Sequence, residues 1–299
     1  MGLLSFDNRD GWIWLDGALV PWRDAKLHVL THGLHYASAV FEGERCYAGN
    51  IFRLRDHTDR LFGSAKVLGF DIPYTADEID AACAATLQAN NLTEAYVRPI
   101  AWRGSEMLAV SAQQTKIHVA IAAWEWPRYF AGDRMAGIRL GMAPWKRPSP
   151  ETAPTAAKCT SLYATGTLSK HAAEAEGYQD ALMLDWRGLI AEATGANIFL
   201  VMDGNIHTPT PEGFLDGITR RSVMALAHKR QMKVVERPIE GWEITRVSEA
   251  FLAGTAAEVT PITEIAGHRC VPGPITETLM HDYDALVRSS PPEVARIVM

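Results

Sequence analysis

Apolar positions along this chain change their period several times, and each change marks an element. Trp12-Ile13-Trp14-Leu15 and Ala18-Leu19-Val20 are apolar runs on either side of Asp16-Gly17, a dipeptide that accepts the positive φ of a two-residue hairpin. Between His57 and Phe70, Leu61, Ala65 and Leu68 recur at helical spacing while Arg60, Ser64 and Lys66 fall off the stripe. Ile79, Cys83 and Leu87 repeat that period in a second helix. Strand-like runs return at 95–100 and 118–123, and a Pro- and Gly-bearing stretch at 126–133 reads as a boundary. The predicted organisation is a small N-terminal α/β domain over 1–126, an interdomain loop over 127–134 and a larger α/β domain over 135–299.

The second half opens with an apolar strand at 138–142 and a loop rich in Pro, Ser and Thr at 144–154, which leads into Lys158. A helix is predicted over 161–176, then an antiparallel meander of strands at 180–185, 189–191 and 197–202, closed by Asp203-Gly204. Thr219 is a candidate N-cap for a helix over 220–231. A strand at 247–252 runs into Gly254-Thr255.

Composition narrows the function. The 299 residues are 47% hydrophobic and 21% charged, with a mean hydropathy of −0.06, which suits a packed globular enzyme. A net charge of −6 with scattered Lys and Arg offers no basic footprint for nucleic acid. No run has the length of an apolar membrane span, and the first ten residues lack the pattern of a secretory signal. Cys46, Cys83, Cys159 and Cys270 form no CxxC pair, which argues against a zinc site or disulfide scaffold and places the chain in a reducing cytoplasm.

Taken alone, Lys158 reads as a solvated lysine. Its neighbours Thr155-Ala156-Ala157 and Cys159-Thr160-Ser161 are small, so the amine can sit in a confined pocket where desolvation or a nearby cation favours the nucleophilic form. Pro154-Thr155-Ala156-Ala157-Lys158 followed by Tyr163, with Glu192-Ala193-Thr194-Gly195-Ala196-Asn197-Ile198-Phe199, resembles the class IV aminotransferases, and among them the branched-chain aminotransferases. His35-Tyr36, Val40-Phe41-Glu42-Gly43, Arg60-Leu61, Tyr96-Val97-Arg98-Pro99, Gly217-Ile218-Thr219-Arg220 and Gly254-Thr255-Ala256-Ala257-Glu258 extend the likeness over nearly the whole chain.

The resemblance implies the fold type IV architecture of pyridoxal-5'-phosphate (PLP) enzymes, two α/β domains with the active site at their interface, and a homodimer in which a loop of the neighbouring small domain closes the pocket. It makes Lys158 the catalytic lysine that carries the cofactor and Glu192 the carboxylate facing the pyridine nitrogen, where it keeps the ring protonated and able to accept electrons. Arg60, Ile218, Thr219, Gly254 and Thr255 would hold the phosphate, partly at a helix start whose N–H groups suit an anion. Tyr163 would hydrogen-bond the cofactor phenolic oxygen. Tyr36, Phe41, Tyr96, Arg98, Trp126 and Tyr129 would line the substrate pocket, with Thr255 and Ala256 presenting N–H groups to the α-carboxylate. In such a pocket Arg98 would take the γ-carboxylate of glutamate and the aromatics an aliphatic chain. Without the motifs, Thr219 is a plain N-cap, Arg60 a solvated arginine, and Tyr36, Phe41 and Trp126 core residues.

The implied reaction is ping-pong transamination between a hydrophobic L-amino acid (Leu, Ile or Val) and 2-oxoglutarate. Rival readings on the same fold are an (R)-selective amine or D-amino acid transaminase, an aminodeoxychorismate-lyase-like enzyme, or a non-catalytic PLP-binding protein. Departures from the family pattern fall near the pocket: Glu44 stands where an apolar residue is usual, Ala196 where glutamate is, and Asp216 where proline is. An ion pair of Glu44 with Arg103 or Arg128 is the expected structural role for that carboxylate; the other reading steers a charged or amine substrate.

Overall fold

The computed structural model describes residues 5–126 and 133–289. They form two compact units, 5–126 with 157–161, and 133–156 with 162–289. The first unit carries a seven-stranded sheet of β1 (Trp12–Leu15), β2 (Ala18–Pro21), β3 (Ala39–Phe41), β4 (Glu44–Tyr47), β5 (Asn50–Ile51), β6 (Ala95–Arg103) and β7 (Ile117–Glu125). The order is β2-β1-β7-β6-β4-β5, with β3 also on β6, and every pairing is antiparallel. Asp16 and Gly17 turn the first hairpin at φ 48° and 98°. Helices α1 (His32–Tyr36), α2 (Leu54–Val67) and α3 (Ala76–Ala89) complete the unit. A capping box between Thr75 and Glu78 starts α3, and Ile79, Cys83 and Leu87 are its buried stripe.

The buried face of α2 is wider than its apolar pattern predicts. Leu61 and Ala65 are buried, but so are His57, Thr58 and Ser64, because polar partners inside the unit receive them. Residues 157–161 pack with this first unit, although the sequence reading assigns Lys158 to a continuous second domain. Cys159 makes an antiparallel bridge with Val40, the Phe41 N–H donates to the Lys158 carbonyl at 3.0 Å, and the Thr160 hydroxyl donates to the Ala37 carbonyl at 3.0 Å. β3 is buried, its backbone groups on the side away from β6 need partners, and this segment supplies them.

The second unit carries a nine-stranded mixed sheet of β8 (Ile138–Met142), β9 (Asp180–Leu184), β10 (Ile190–Ala193), β11 (Asn197–Met202), β12 (Asn205–Thr208), β13 (Val234–Glu236), β14 (Glu249–Gly254), β15 (Glu258–Ile265) and β16 (His268–Arg269). The main path is β10-β9-β8-β15-β14-β11-β12-β13. The predicted meander is present, since β9, β10 and β11 pair antiparallel in turn. Leu140, Leu182, Ile198, Leu200, Leu252 and Ile262 are fully buried in its core. Helices α4 (Tyr163–Ala175), α5 (Ile218–Lys229) and α6 (Pro274–Arg288) flank the sheet strands in sequence. Gly217, not Thr219, is the N-cap of α5: the helix starts earlier than the pattern predicts, which puts Thr219 inside the first turn.

Candidate active site

In the first unit, Lys158 is partly buried between the fully buried Ala157 and Cys159. Its N–H donates to Ser64 Oγ at 3.0 Å, so α2 and β3 together fix the segment. The Lys158 Nζ lies 5.1 Å from the Phe41 ring centroid. The Arg98 guanidinium stands over the same ring at 4.6 Å and over Tyr96 at 5.2 Å, and its Nη2 donates to Tyr96 Oη at 3.0 Å. Tyr96 in turn meets Trp126 at 5.0 Å between ring centroids. An amine, an aromatic wall and a guanidinium therefore share one neighbourhood. Gly43 is required there, because a Cβ would come 1.9 Å from Tyr96 Oη. Tyr36 stacks on His32 at 4.5 Å and is 46% exposed. Tyr129 and Arg128 lie outside the described residues.

Arg60 is held by Glu42, which no pattern in the sequence singles out for that task. The Arg60 Nε and Nη2 donate to the two Glu42 oxygens at 2.7 and 2.8 Å, and His57 Nδ1 meets Glu42 Oε2 at 2.7 Å. Glu42 is fully buried. Burial alone would raise its carboxyl, but the charge and hydrogen bonds of Arg60, then those of His57, hold it well below the ordinary range. Burial depresses His57 against the pull of Glu42. The bidentate pair fixes the plane of the Arg60 guanidinium.

In the second unit, Glu192 sits on β10 opposite Asn197 of β11, and both are buried. Arg147 Nη2 meets Glu192 Oε1 at 2.8 Å, while Asn197 Nδ2 donates to Glu192 Oε2 at 3.2 Å and to the Leu215 carbonyl at 3.0 Å. Gly217 closes over this amide, since a Cβ there would come 2.2 Å from Asn197 Oδ1. Ile218 and Thr219 are buried in the first turn of α5, and the capping Gly217 offers that turn no side chain, so its amides suit an anion. Asn197 pairs with Ala253 across the sheet, which sets Gly254 and the following Thr255 and Ala256 beside the Glu192 strand pair. A Cβ on Gly254 would come 3.1 Å from the Ala196 Cβ, so the small residue at 196 and the glycine at 254 fit each other. Tyr163 is the first residue of α4, and Gly166 lets that helix approach the Thr194 carbonyl, 3.1 Å from a would-be Cβ.

The departures from the family pattern resolve differently. Asp216 pairs with the buried Arg220 at 2.8 Å, which ties the chain before α5 to the helix. The expected ion pair between Glu44 and Arg103 does not form: Arg103 donates to the Ala112 and Gly69 carbonyls, and Glu44 is fully buried. Neither Glu44 oxygen has a hydrogen bond of good geometry, and the Cys83 thiol is beside it. Every residue of β4 is buried, so either face of the strand would bury this carboxylate. Among the described residues no group of three or more His, Cys, Asp or Glu is placed to hold a metal ion. Glu42, Arg147 and Asn197 hold candidate residues without being singled out by the sequence for that task; Glu42 and Asn197 lie inside family motifs, whereas nothing marks Arg147.

Residues 39–265 match the family described as amino-transferase class IV. The chain is 44% identical over 292 residues to the branched-chain-amino-acid aminotransferase of Pseudomonas aeruginosa, covering 95% of each. It is similar to the branched-chain aminotransferase of Thermoproteus uzoniensis solved with norvaline, with TM-score 0.90, 37% identity and coverage of 94% of this chain and 97% of that one. The T.th. branched-chain amino acid aminotransferase complexed with N-(5'-phosphopyridoxyl)-L-glutamate matches with TM-score 0.90 and 36% identity, over 95% of this chain and 96% of that one.

Proposed function

The chain belongs to the amino-transferase class IV family, among its branched-chain-amino-acid aminotransferases, and from that premise we propose that it transfers the amino group between a branched-chain L-amino acid and 2-oxoglutarate with PLP as cofactor. The observation that carries the substrate reading is Arg98 over Phe41 and Tyr96, in the neighbourhood of the Lys158 amine. One set of side chains offers an apolar wall to a leucine-like chain and a bidentate cation to the second carboxylate of glutamate.

The residues present fit PLP. A buried carboxylate held by a cation suits a protonated ring nitrogen, and a helix start with no side-chain cap, together with the hydroxyls of Thr219 and Thr255, suits a phosphate. When bound, PLP supplies an electron sink for the charge left at the substrate α-carbon. Lys158 would hold the cofactor and take the proton from the substrate α-carbon. Glu192 would hold the proton at the ring nitrogen, and Tyr163 would hydrogen-bond the phenolic oxygen. Ile218, Thr219, Gly254 and Thr255 would hold the phosphate together with Arg60, whose orientation Glu42 sets. Thr255 and Ala256 would present backbone N–H groups to the α-carboxylate, with Tyr36, Phe41, Tyr96, Arg98, Trp126 and Tyr129 around the side chain.

We propose a homodimer as the working form. Supporting it, Leu27, Val29, Leu34 and Val110 of the first unit are apolar and exposed, Val110 at 87%, and Leu27 and Leu34 line an apolar groove of about 490 Å³ with Ile100 and Trp102. Exposed apolar surface of this kind marks association. A cytoplasmic location accords with four free, buried cysteines. Among the described residues, no helix is long and apolar enough to cross a membrane.

The test is a half-reaction titration, adding L-leucine, L-glutamate, D-alanine and (R)-1-phenylethylamine separately to the PLP form while following cofactor absorbance. L-leucine and L-glutamate should convert it to the amine form, and Lys158→Ala should lose the conversion. Conversion by the D-amino acid or the amine alone would overturn the substrate reading.

A further inference from the structure

Arg147 stands out among the buried charges of the second unit because, among the described residues, its one acidic partner is Glu192. The guanidinium is 6% exposed and Glu192 is 6% exposed, with Nη2 and Oε1 2.8 Å apart. Asp185, its backbone bridge partner, is not available: Arg187 Nε takes Asp185 Oδ2, and the N–H groups of Arg187 and Leu189 take Oδ1. Arg147 is placed by backbone, its N–H donating to the Leu184 carbonyl at 2.8 Å. Its Nη1 donates to the Leu162 carbonyl at 3.3 Å, and Leu162 is the residue from which Tyr163 starts α4. One side chain therefore links the Glu192 carboxylate to the start of the helix that carries Tyr163.

We propose that Arg147 is a positioning residue for transamination: it keeps Glu192 ionised and fixed in the buried site, so that the proton shared with the cofactor resides on the ring nitrogen. This rests on the reading of Glu192 as the partner of that nitrogen. A buried carboxylate with no cation beside it takes up a proton instead of bearing charge. A Glu192 that holds its own proton cannot stabilise one on the ring, and an unprotonated ring is the poorer electron sink. The Asn197 amide donates to the other oxygen at 3.2 Å and orients the carboxylate, but it brings no charge. Asn197 therefore cannot replace Arg147 in this role.

The experiment is a double-mutant cycle on the PLP-loaded protein with R147M, E192Q and R147M/E192Q, together with R147K. It reads the cofactor absorbance spectrum, the affinity for PLP and the rate of the L-leucine half-reaction. Neighbouring cations move carboxylates by roughly one to three pH units, so R147M should slow the half-reaction at least about tenfold and change the cofactor spectrum in the same direction as E192Q. R147K, which keeps the charge, should recover most of the rate. The double variant should be no slower than E192Q alone, because Arg147 acts through Glu192. A wild-type spectrum and rate in R147M, or losses that multiply in the double variant, overturn the proposal. If E192Q itself leaves spectrum and half-reaction unchanged, the role of Glu192 fails first, and that outcome is distinct. Where R147M does not fold, R147Q, which can still donate to the Leu162 carbonyl, takes its place in the cycle; if neither folds, Arg147 is structural and the proposal is wrong.

Discussion

Glu44→Leu should stabilise this protein, and the gain should grow with pH. Both Glu44 oxygens are buried in the first unit without a hydrogen bond of good geometry, and an unsatisfied buried polar group costs about 1–3 kcal/mol. Leucine, of similar volume, removes both oxygens and adds apolar contact. Burial first, then the charges of Glu42 and Asp80, raise the Glu44 carboxyl well above its ordinary 4.5. Below about pH 4.5 folded and unfolded chains both hold the proton, so it adds no pH dependence there. Above that value the unfolded chain releases the proton and the folded chain retains it, so each pH unit up to the folded value removes up to about 1.4 kcal/mol of stability. The assay is urea unfolding of wild type, E44L and E44Q at fixed PLP concentration, at pH 5 and pH 8. Glutamine cannot ionise but keeps two polar atoms, so E44Q should flatten the pH dependence and E44L should both flatten it and raise the midpoint. A wild-type pH dependence identical to that of E44Q, or an E44L midpoint below wild type at pH 8, would refute the reasoning.

Glu42→Gln should act in the opposite sense: it leaves Arg60 and the buried His57 without their carboxylate, at a cost of about 3–5 kcal/mol. Because the folded carboxyl lies well below 4.5, the advantage of wild type is present above about pH 4.5 and shrinks as pH falls below it, which melting temperatures at pH 7 and pH 3.5 will show. Gly217→Ala should push a Cβ into Asn197 Oδ1, 2.2 Å away. Asn197 is bonded to Glu192 and Leu215 and cannot yield cheaply, so PLP affinity measured by absorbance titration should fall at least about tenfold, or about 1.4 kcal/mol. An unchanged affinity would mean that the backbone before α5 does not shape the phosphate end.

Legibility in the sequence follows periodicity. The Asp16-Gly17 hairpin, the two helices after His57 and the strands around Glu192 all announce themselves through local pattern and turn residues, and the structure has them. Polar burial is what the pattern hides. Arg60 and Ser64 look solvent-facing on a helical wheel, yet Ser64 is buried and Arg60 reaches inward, because Glu42 and the Lys158 backbone supply partners from distant parts of the chain. Glu44 misleads for the converse reason: a carboxylate invites an ion pair, yet Glu44 is fully buried and Arg103 gives its donors to the Ala112 and Gly69 carbonyls. Arg147 carries no signal at all, since its role exists only once Glu192 is folded against it. The family motifs mark Lys158, Glu192 and Arg98, and they include Asn197 and Tyr96 beside them, but not Arg147.

The stitching of residues 157–161 to β3 has a consequence for how the chain is made. The Thr160 hydroxyl and the Ala37 carbonyl that it meets are 123 positions apart in sequence, so the first unit cannot be finished from its own contiguous stretch. During synthesis the ribosome must deliver residue 161, together with much of the following unit's beginning, before the open margin of β3 finds its partner. Contacts so distant close late. The same event delivers Lys158, so a nascent polypeptide brings that amine to Phe41 only when this margin of its N-terminal sheet is covered.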